Sequence, residues 1–395
     1  MKKIAIVTLY HNNNNYGGLA QAYALCEYLN SKGYDAEILD YEKQKGLSGS
    51  FKDRLELHAN GKGAVRFYQM VKYVFKWLYN KEIVARRNRN ALEKYSEGLN
   101  ERKEKFAEFR NTIPHSKIYC AETISESADK YDAFVSGSDQ IWKPGVIQDA
   151  FVLKFVADRK KISYASSVAI AGIKSREWFC KYLKDNLMSY SAISVREEST
   201  SIELCEILGH EVSWVVDPTM LLGKEKWNDI TAKRIIKENY IFAYFLGGSA
   251  VQRNFVTRYA LEHDLKIVSL PFAGGDYIKE DVNFGDYRLF KIGLPEFFSL
   301  IKYAEVIFTD SFHAVCFSRV FSKEFFVMER EVSHKTDRMT TRIESILDIM
   351  NLRDHLINEH SVIDKIEPID YCLVEEHLQP YIERSQKYLI EALND

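Results

Sequence analysis

The sequence predicts an α/β fold with parallel sheets, divided between two domains. The chain has 395 residues, which is too long for a single hydrophobic core. Short apolar runs alternate with segments of helical periodicity from the first residues onward, as they do where helices connect parallel strands. A polar stretch at residues 223–239 interrupts the alternation, and we predict the domain boundary there.

The first domain is predicted to span residues 1–222. It opens with a βαβ unit, in which the helical run "LAQAYALCEYL" separates the strand-like runs "KIAIVTLY" and "DAEILDY". Asp217-Pro218 ends the last strand of this domain, because proline cannot donate to a sheet ladder. Four further strands are predicted before that point, at residues 131–136, 161–168, 192–195 and 211–216.

The second domain is predicted to span residues 240–370 and to repeat the same alternation. Its strand-like runs include "YIFAYFL", "KIVSLPF", "EVIFT" and "FFVM". Residues 371–395 are predicted to form a C-terminal helix, because Leu378, Ile382 and Leu389 share one helical face. That apolar face could pack back on the first domain.

A basic insertion, residues 43–112, interrupts the first domain. It holds 17 Lys and Arg against 8 Asp and Glu, a local charge of +9 in a chain whose formal net charge is -2. Its helical, aromatic part at residues 64–90 could contact an anionic membrane surface. The alternative is a helical hairpin that packs on the first sheet and keeps its basic residues in solvent. Runs of charged residues more often form such solvated faces.

Composition excludes several classes of protein. The nearly balanced charge does not favour a nucleic-acid partner. No apolar run approaches the roughly 20 residues that a membrane span needs. The six cysteines are scattered without a CxxC pair, so we expect reduced cysteines in a cytoplasmic protein.

Candidate binding residues should follow the strands, because open parallel sheets bind ligands beyond the carboxyl ends of their strands. After the first strand comes "HNNNNYGG", in which Asn15, Tyr16 and Gly17 open a helix. The free N–H groups there favour an anionic or polar ligand, although the missing GxGxxG pattern argues against a dinucleotide. The alternative is a wide loop that needs residues tolerant of unusual backbone angles.

Two later strand ends also present polar side chains. In "GSDQIWKP", Asp139 and Gln140 could bond sugar hydroxyls while Trp142 offers a flat face to a sugar ring; the alternative is a capped tight turn. Arg196 follows "AISV" and could clamp a phosphate or carboxylate with its planar fork, or pair with a neighbouring glutamate at the surface.

The strongest candidate for chemistry lies in "EVIFTDSFHAVCFSRVF", residues 305–321. A buried strand runs into capping residues that include Ser311, and His313 falls in the first turn of the following helix. An imidazole exchanges protons near neutral pH and suits general acid catalysis; the alternative is a packed core histidine. The downstream stretch "EREVSHKTDRMTTR" adds Lys335, Arg338 and Arg342, as an anion site or as solvated charge. We expect no metal, since the histidines lack ligand spacing.

An ordered set of motifs resembles the polysaccharide pyruvyl transferase family. The matching stretches are "TLYHNNNNYGGLAQAYAL", "YDAFVSGSDQIW", "KISYASSVA", "ISVREESTSIEL", "VVDPTMLL", "EVIFTDSFHAVCFSRVFSKEFFV" and "TTRIESIL". The resemblance covers nearly the whole chain except most of residues 43–112. It implies two Rossmann-like domains that face a cleft, as in the GT-B glycosyltransferases.

The resemblance also implies a reaction in bacterial surface polysaccharide biosynthesis. A pyruvyl group would move from phosphoenolpyruvate onto two hydroxyls of one sugar, free or in a lipid-linked oligosaccharide, to form a cyclic ketal and release phosphate. His313 would be the catalytic acid and Arg196 a ligand of the donor. In this scheme Asp139 is our candidate base, and Arg338 or Lys335 helps to hold the anion. Phosphoenolpyruvate is a co-substrate and no cofactor is expected. The enzyme would work in the cytoplasm, where it could contact the inner face of the membrane.

One residue departs from the family pattern. Family members carry an arginine two residues before the histidine, where this chain has Ser311. Loss of one positioned charged donor could cost ~10²–10³ in rate unless a cation from the 334–342 loop replaces it. Two other functions therefore stay open: a nucleotide-sugar glycosyltransferase, which needs a base-and-ribose pocket, and a non-catalytic saccharide-binding protein. In each case we expect the asparagine–glycine loop to line the cleft on the acceptor side.

Overall fold

The computed structural model describes residues 1–44, 64–79, 85–157, 159–330 and 340–394. It contains two main parallel sheets with helices packed on them, and their loops face each other across a cleft. The predicted α/β class with two Rossmann-like domains is therefore confirmed. None of the helices in these ranges is long and apolar enough to cross a membrane.

The first domain is built on a four-stranded sheet with strand order β2-β1-β3-β4. Its central strand β1 is a continuous apolar run because helices and loops cover both faces, and Ile4, Ala5, Ile6 and Val7 have no exposed surface. The elements in chain order are β1 (Lys3–Val7), α1 (Tyr16–Ser31), β2 (Asp35–Ile38), α2 (Ala64–Tyr79), α3 (Ala85–Glu93), α4 (Ser96–Asn111), β3 (Ala133–Ser136), β4 (Lys160–Ser163), α5 (Glu177–Leu187), β5 (Ser194–Val195), α6 (Glu198–Leu208), β6 (Ser213–Trp214) and α7 (Lys224–Asp229).

The second domain contains a six-stranded sheet with strand order β12-β11-β10-β7-β8-β9, in which every neighbouring pair is parallel. The elements are β7 (Tyr240–Tyr244), α8 (Ala250–Glu262), β8 (Lys266–Ser269), β9 (Tyr287–Arg288), α9 (Leu294–Lys302), β10 (Val306–Thr309), α10 (Phe312–Val320), β11 (Glu324–Met328), α11 (Thr340–Met350) and β12 (Leu356–Ile357). A last helix, α12 (Tyr371–Asn394), follows.

Each sheet has one point at which the chain reverses its direction of winding. In the first sheet this point lies between β1 and β3, and in the second it lies between β7 and β10. Loops that leave adjacent strands at such a switch point diverge and open a crevice for a ligand. The two crevices face each other, which places the loops after these four strands around one cleft.

The basic insertion joins the two domains through α4. The Arg102 guanidinium is buried and donates hydrogen bonds to three backbone oxygens of the second domain, those of Pro271, Leu289 and Phe290, at 2.8–3.0 Å. On the same helix, the Phe106 ring packs edge-on against Tyr16 of the first domain. The insertion therefore does more than cover the first sheet with a solvated rim.

The C-terminal helix α12 contacts both domains. Near its start, the Tyr371 hydroxyl donates to the backbone oxygen of Ser318 in the second domain at 3.2 Å. Near its end, the Tyr388 hydroxyl donates to the oxygen of Ser163 in the first sheet at 2.9 Å, and Ser385 Oγ accepts from the N–H of Val216 at 3.0 Å.

Candidate active site

A cavity of about 220 Å³ lies where the two switch points meet. The first domain contributes the loops after β1 and β3, and the second domain contributes the loop after β7 and the start of α10. The polar side chains that line the cavity are Asn13, Asn15, Asp139, Gln140, Asp310, Ser311, His313, Arg330 and Arg342. The structure thus brings together predicted residues from stretches of sequence that lie far apart.

His313 is the second residue of α10, and its ring lines this cavity. Its Nε2 atom is buried and lies 3.7 Å from Asp217 Oδ2, which is too long for a hydrogen bond but close enough for a charge interaction. The other side of the ring packs directly on Gly17, where a Cβ atom would lie 2.0 Å from His313 Nδ1. Gly17 is therefore required for close packing against the imidazole, a role different from the predicted acceptor binding.

Asp217 is a fully buried carboxylate that the sequence prediction missed. Its Oδ2 atom accepts from Arg196 Nη1 at 2.7 Å and from Ser138 Oγ at 3.1 Å, and its Oδ1 atom accepts from the N–H of Thr219 at 3.0 Å. Burial alone would raise the pKa of Asp217, but His313, Arg196 and the Thr219 N–H together lower that pKa well below the ordinary carboxyl range. The aspartate in "VVDP" therefore places a permanent negative charge beside His313.

Arg196 is buried and supports this carboxylate. Its Nη2 atom lies 3.6 Å from Asp139 Oδ1, and its guanidinium carbon lies 4.7 Å from the centre of the Phe312 ring. Burial opposes the charge, yet Asp217 and Asp139 raise the pKa of Arg196 above its usual value. Among the described residues, its Nε and Nη2 atoms have no hydrogen-bond partner. Arg196 is buried and is not one of the side chains that line the cavity, so neither the predicted direct contact with the donor nor the alternative pairing with a glutamate at the surface is seen.

Two other arginines reach the cavity. The Arg342 side chain is buried. When the Gln140 amide is oriented with its oxygen toward Arg342, that oxygen accepts a hydrogen bond from Arg342 Nη2 at 2.8 Å. Burial and the nearby Arg196 lower the pKa of Arg342 to about 10. Arg330 follows β11, and its Nε donates to Asp310 Oδ2 at 3.0 Å. The sequence prediction overlooked Arg330, although a charged residue directly after a buried strand was a usable signal.

The predicted donor ligands Lys335 and Arg338 lie outside the described residues. Ser311 lines the cavity at the N-cap position of α10, and its own N–H donates to Thr309 Oγ1 at 3.0 Å. Where family members carry an arginine, this chain therefore presents a small hydroxyl, while Arg330 and Arg342 supply positive charge nearby.

Asp139 lies on a strained turn that lines the cavity. Its φ angle is +72°, in a region that non-glycine residues rarely adopt. Such backbone strain persists where the surroundings hold the residue in place, and it is common at functional sites. Its carboxylate is partly exposed, so it remains available to a ligand in the cleft.

Two predicted acceptor residues belong to the hydrophobic core, and we correct those predictions. Trp142 has no exposed surface, and its indole N–H donates to the backbone oxygen of Phe151 at 3.0 Å. The Tyr16 hydroxyl donates to the oxygen of Ile292 at 2.8 Å, and its ring stacks on Phe297. The Trp142 ring was predicted to face a sugar and Tyr16 to line the acceptor side of the cleft, but both rings are buried instead.

Asn15 lines the cavity and has a structural role as well. Its side-chain oxygen accepts from the N–H of Gly18 at 2.9 Å and so caps α1. Asn13 braces the same loop, because its Oδ1 accepts from the N–H of Asn15 at 2.9 Å. The asparagines therefore hold the loop after β1 in position at the cleft.

No group of three or more His, Cys, Asp or Glu side chains that could hold a metal ion occurs within the described ranges.

The solved structures that match the chain include UDP-N-acetylglucosamine 2-epimerases and an alpha-glucosyltransferase. The chain matches a UDP-N-acetylglucosamine 2-epimerase from Rickettsia bellii with 10% identity and a TM-score of 0.48, covering 100% of this chain and 96% of that chain. It matches a UDP-GlcNAc 2-epimerase from Methanocaldococcus jannaschii with 12% identity and a TM-score of 0.42, covering 100% and 99%. An alpha-glucosyltransferase in complex with UDP matches with 8% identity and a TM-score of 0.43, covering 100% and 95%. Similarities this low carry no argument about function.

Sequence comparison is more specific. No curated protein matches the chain. The model of the family described as "Polysaccharide pyruvyl transferase" matches residues 15–331, which is most of the chain and includes His313, Asp217 and Arg330. The chain therefore belongs to the polysaccharide pyruvyl transferase family.

Proposed function

We propose that the protein transfers a pyruvyl group from phosphoenolpyruvate onto two hydroxyls of a sugar, forming a cyclic ketal in bacterial surface polysaccharide biosynthesis. The observation that carries the proposal is the placement of a His–Asp pair and two arginines around one small cavity at the interdomain cleft. The donor is a compact anion with a carboxylate and a phosphate of about −1.5 to −2 charge. A cavity of about 220 Å³ has room for a donor of that size.

The donor would bind through Arg342, Arg330 and the N-terminal end of α10. The first N–H groups of a helix have no partner within the helix, and together with the helix dipole they favour an anion. Arg342 is buried and bonds a neutral amide oxygen, so an anionic donor would add a counter-charge in direct contact with it. In this arrangement Arg196 acts mainly through Asp217, and a cation of the 334–342 loop could add to the donor site.

His313 would act as the acid. The buried Asp217 carboxylate beside Nε2 would stabilise the protonated imidazole that delivers the proton. The protonated imidazole gives its proton to C3 of the enol, and C2 becomes an oxocarbenium-like centre. One sugar hydroxyl attacks C2 while Asp139 takes its proton. The bond between C2 and the phosphate oxygen then breaks, and the neighbouring hydroxyl closes the ring. The proton of the second hydroxyl leaves with the phosphate, and the proton on Asp139 returns to His313, which restores both groups for the next turnover.

The test is a reaction with phosphoenolpyruvate and a panel of free and lipid-linked glycosides, followed by phosphate release and acceptor mass. We expect acceptor-dependent phosphate release and a product mass that corresponds to a ketal. His313→Ala should lower turnover by at least ~10²-fold without changing the thermal unfolding midpoint. His360→Ala, at an exposed histidine far along the chain, is the matched control.

Three outcomes would contradict the proposal. Retention of activity by His313→Ala would remove that residue from the acid role. Absence of phosphate release with every acceptor, together with thermal stabilisation by a UDP- or GDP-sugar, would favour a glycosyltransferase instead. Binding of saccharides without any turnover would favour the non-catalytic alternative that Ser311 suggested.

We also propose that α2 brings the protein to an anionic membrane surface on the cytoplasmic side. Its side chains Val65, Phe67, Tyr68 and Phe75 are 58–71% exposed, and exposed basic residues on α2 and α3 accompany them. Exposed aromatics with adjacent cations are typical of helices that lie in the membrane interface.

Vesicle flotation tests this contact. We expect binding to phosphatidylglycerol vesicles, little binding to phosphatidylcholine vesicles, and loss of binding in the double variant Phe67→Ser/Phe75→Ser. Leu373→Ser changes an exposed apolar residue on α12 and should have no effect. Equal flotation of the double variant and the wild type would contradict the proposal.

A further inference from the structure

A second, larger cavity adjoins the first and plays no part in the chemistry described so far. Its volume is about 760 Å³, and it lies between α3 and α4 of the insertion and residues 272–275 of the second domain. Asn13 and Asn15 line both cavities, so the loop after β1 is a shared wall. Pockets that enclose organic ligands commonly measure about 300–1,000 Å³. This cavity falls in that range and has more room than a single sugar ring requires.

The side chains of this cavity have the chemistry of a carbohydrate site. Five asparagines line it, at positions 13, 14, 15, 90 and 100, of which Asn13 and Asn15 already use their side-chain oxygens to hold the loop after β1. A carboxamide donates through its NH₂ group and accepts through its oxygen, so it can bond two neighbouring sugar hydroxyls at once. Arg89 and Lys103 also line the cavity and are exposed, against one acid, Glu93. The excess of positive charge favours a ligand with an anionic group.

The walls of the cavity are held in place by buried contacts. Arg102 on α4 donates to three backbone oxygens of the second domain, which fixes the insertion side of the cavity. On the opposite side, the N–H of Phe272 donates to Asp281 Oδ2 at 2.9 Å, and Asp281 is paired with the buried Arg253. A site whose walls are fixed before binding loses less conformational entropy when a ligand enters.

We propose that this cavity binds the acceptor, an oligosaccharide that carries a carboxylate or a phosphate. The sugar that receives the pyruvyl group would reach past Asn13 and Asn15 toward the smaller cavity, while the remaining rings rest among Asn90 and Asn100. Arg89 and Lys103 would hold the anionic group. That the bound oligosaccharide is an acceptor rests on the proposed pyruvyl transfer. The affinity of the cavity for carbohydrate does not depend on the donor.

The test is retention of the full-length protein on an array of acidic oligosaccharides, containing uronic acids or sugar phosphates, and their neutral counterparts, without phosphoenolpyruvate. We expect retention on acidic oligosaccharides. The double variant Asn90→Ala/Asn100→Ala should weaken that retention about 10-fold, as the loss of two hydrogen bonds of ordinary strength implies. Arg89→Gln/Lys103→Gln should weaken binding to the acidic glycans and leave neutral ones unaffected. Asn111→Ala, at the exposed end of the same helix, is the matched control.

Three outcomes would overturn this assignment: no oligosaccharide retained by the wild type, unchanged retention by the asparagine double variant, or equal retention of neutral and acidic glycans. The fate of the pyruvyl transfer is measured separately, through thermal stabilisation by phosphoenolpyruvate and through phosphate release. Glycan retention without stabilisation by phosphoenolpyruvate and without phosphate release would support the carbohydrate site and contradict the proposed pyruvyl transfer.

Discussion

His313 owes its position to residues that lie far away in the sequence. Gly17 from the first domain packs against one side of the ring, and Asp217 lies near Nε2 on the other. Asp217 is in turn held by Arg196, Ser138 and the N–H of Thr219. The orientation of the proposed catalytic imidazole therefore depends on contacts between the two domains.

The contact with Gly17 leads to a prediction. Gly17→Ala should lower kcat by at least ~10²-fold, because a Cβ atom 2.0 Å from His313 Nδ1 must displace the imidazole. Gly17 lies in α1, where alanine is otherwise favoured by about 0.5–1 kcal/mol, so the fold should tolerate the change. Steady-state kinetics and thermal unfolding measure the two effects. In Gly248→Ala the nearest atom would be 3.5 Å away, and that variant should stay active. Wild-type activity in Gly17→Ala would contradict the packing argument.

The depressed pKa of Asp217 predicts how stability depends on pH. Because the folded-state pKa lies below the unfolded value of about 3.9, the carboxylate stabilises the fold at every pH above that value. The contribution is lost as the pH falls further, through the folded-state pKa. Asp217→Asn should therefore reduce the free energy of unfolding by about 3–5 kcal/mol, since it leaves Arg196 buried without its partner.

Urea unfolding of wild type and Asp217→Asn at several pH values measures this. The difference in unfolding free energy should stay constant from pH 8 to pH 5 and shrink only below about pH 4. A difference that already disappears between pH 7 and pH 5 would mean that the carboxylate is not held ionised.

At the scale of elements, helix α4 connects the basic insertion to the cleft. Its Arg102 reaches three carbonyl oxygens of the second domain, and its Arg110 donates to the oxygen of Asn13 at 3.3 Å. The insertion thus supports both the shared asparagine loop and the wall of the larger cavity. The basic insertion has the charge content of a solvated surface, yet its Arg102 is buried and joins the two domains.

This role predicts a large effect of Arg102→Ala. The change leaves three acceptors without a donor, and we expect the free energy of unfolding to fall by at least about 2 kcal/mol. Chemical denaturation measures it, with Glu104→Ala, an exposed neighbour on the same helix, as control. Equal stability of the two variants would show that the contacts of Arg102 are not important for the fold.

On the scale of the whole molecule, two helices join the domains at the cleft, in addition to direct contacts such as the hydrogen bond from Tyr16 to Ile292. One is α4, and the other is α12, which contacts the second domain near its start and the first sheet near its end. Leu389 of α12 is fully buried in a core shared by residues of both domains. The two switch points are therefore held facing each other by packing as well as by the linker.

Leu389→Ala tests the role of α12. Loss of a fully buried leucine should lower the free energy of unfolding by about 2–5 kcal/mol. Lys387→Ala, on the exposed side of the same helix, should change it by less than about 0.5 kcal/mol. We expect one cooperative transition in calorimetry. A separate early transition in Leu389→Ala, with the rest of the protein unchanged, would show that α12 does not couple the domains.

The sequence by itself determined the alternation of strands and helices, the division into two α/β halves, the family, and the position of His313 at the start of a helix. These follow from local periodicity, from capping residues and from ordered motifs, all of which can be recognised without knowing which segments meet. The tertiary structure decided where side chains in the loops after strands point. Trp142 and Tyr16 turned into the core, Asp217 came to His313 from another domain, and Arg342 rather than Arg196 lines the cavity. Loop direction depends on long-range packing, because no periodic pattern relates a loop side chain to the face on which it will lie.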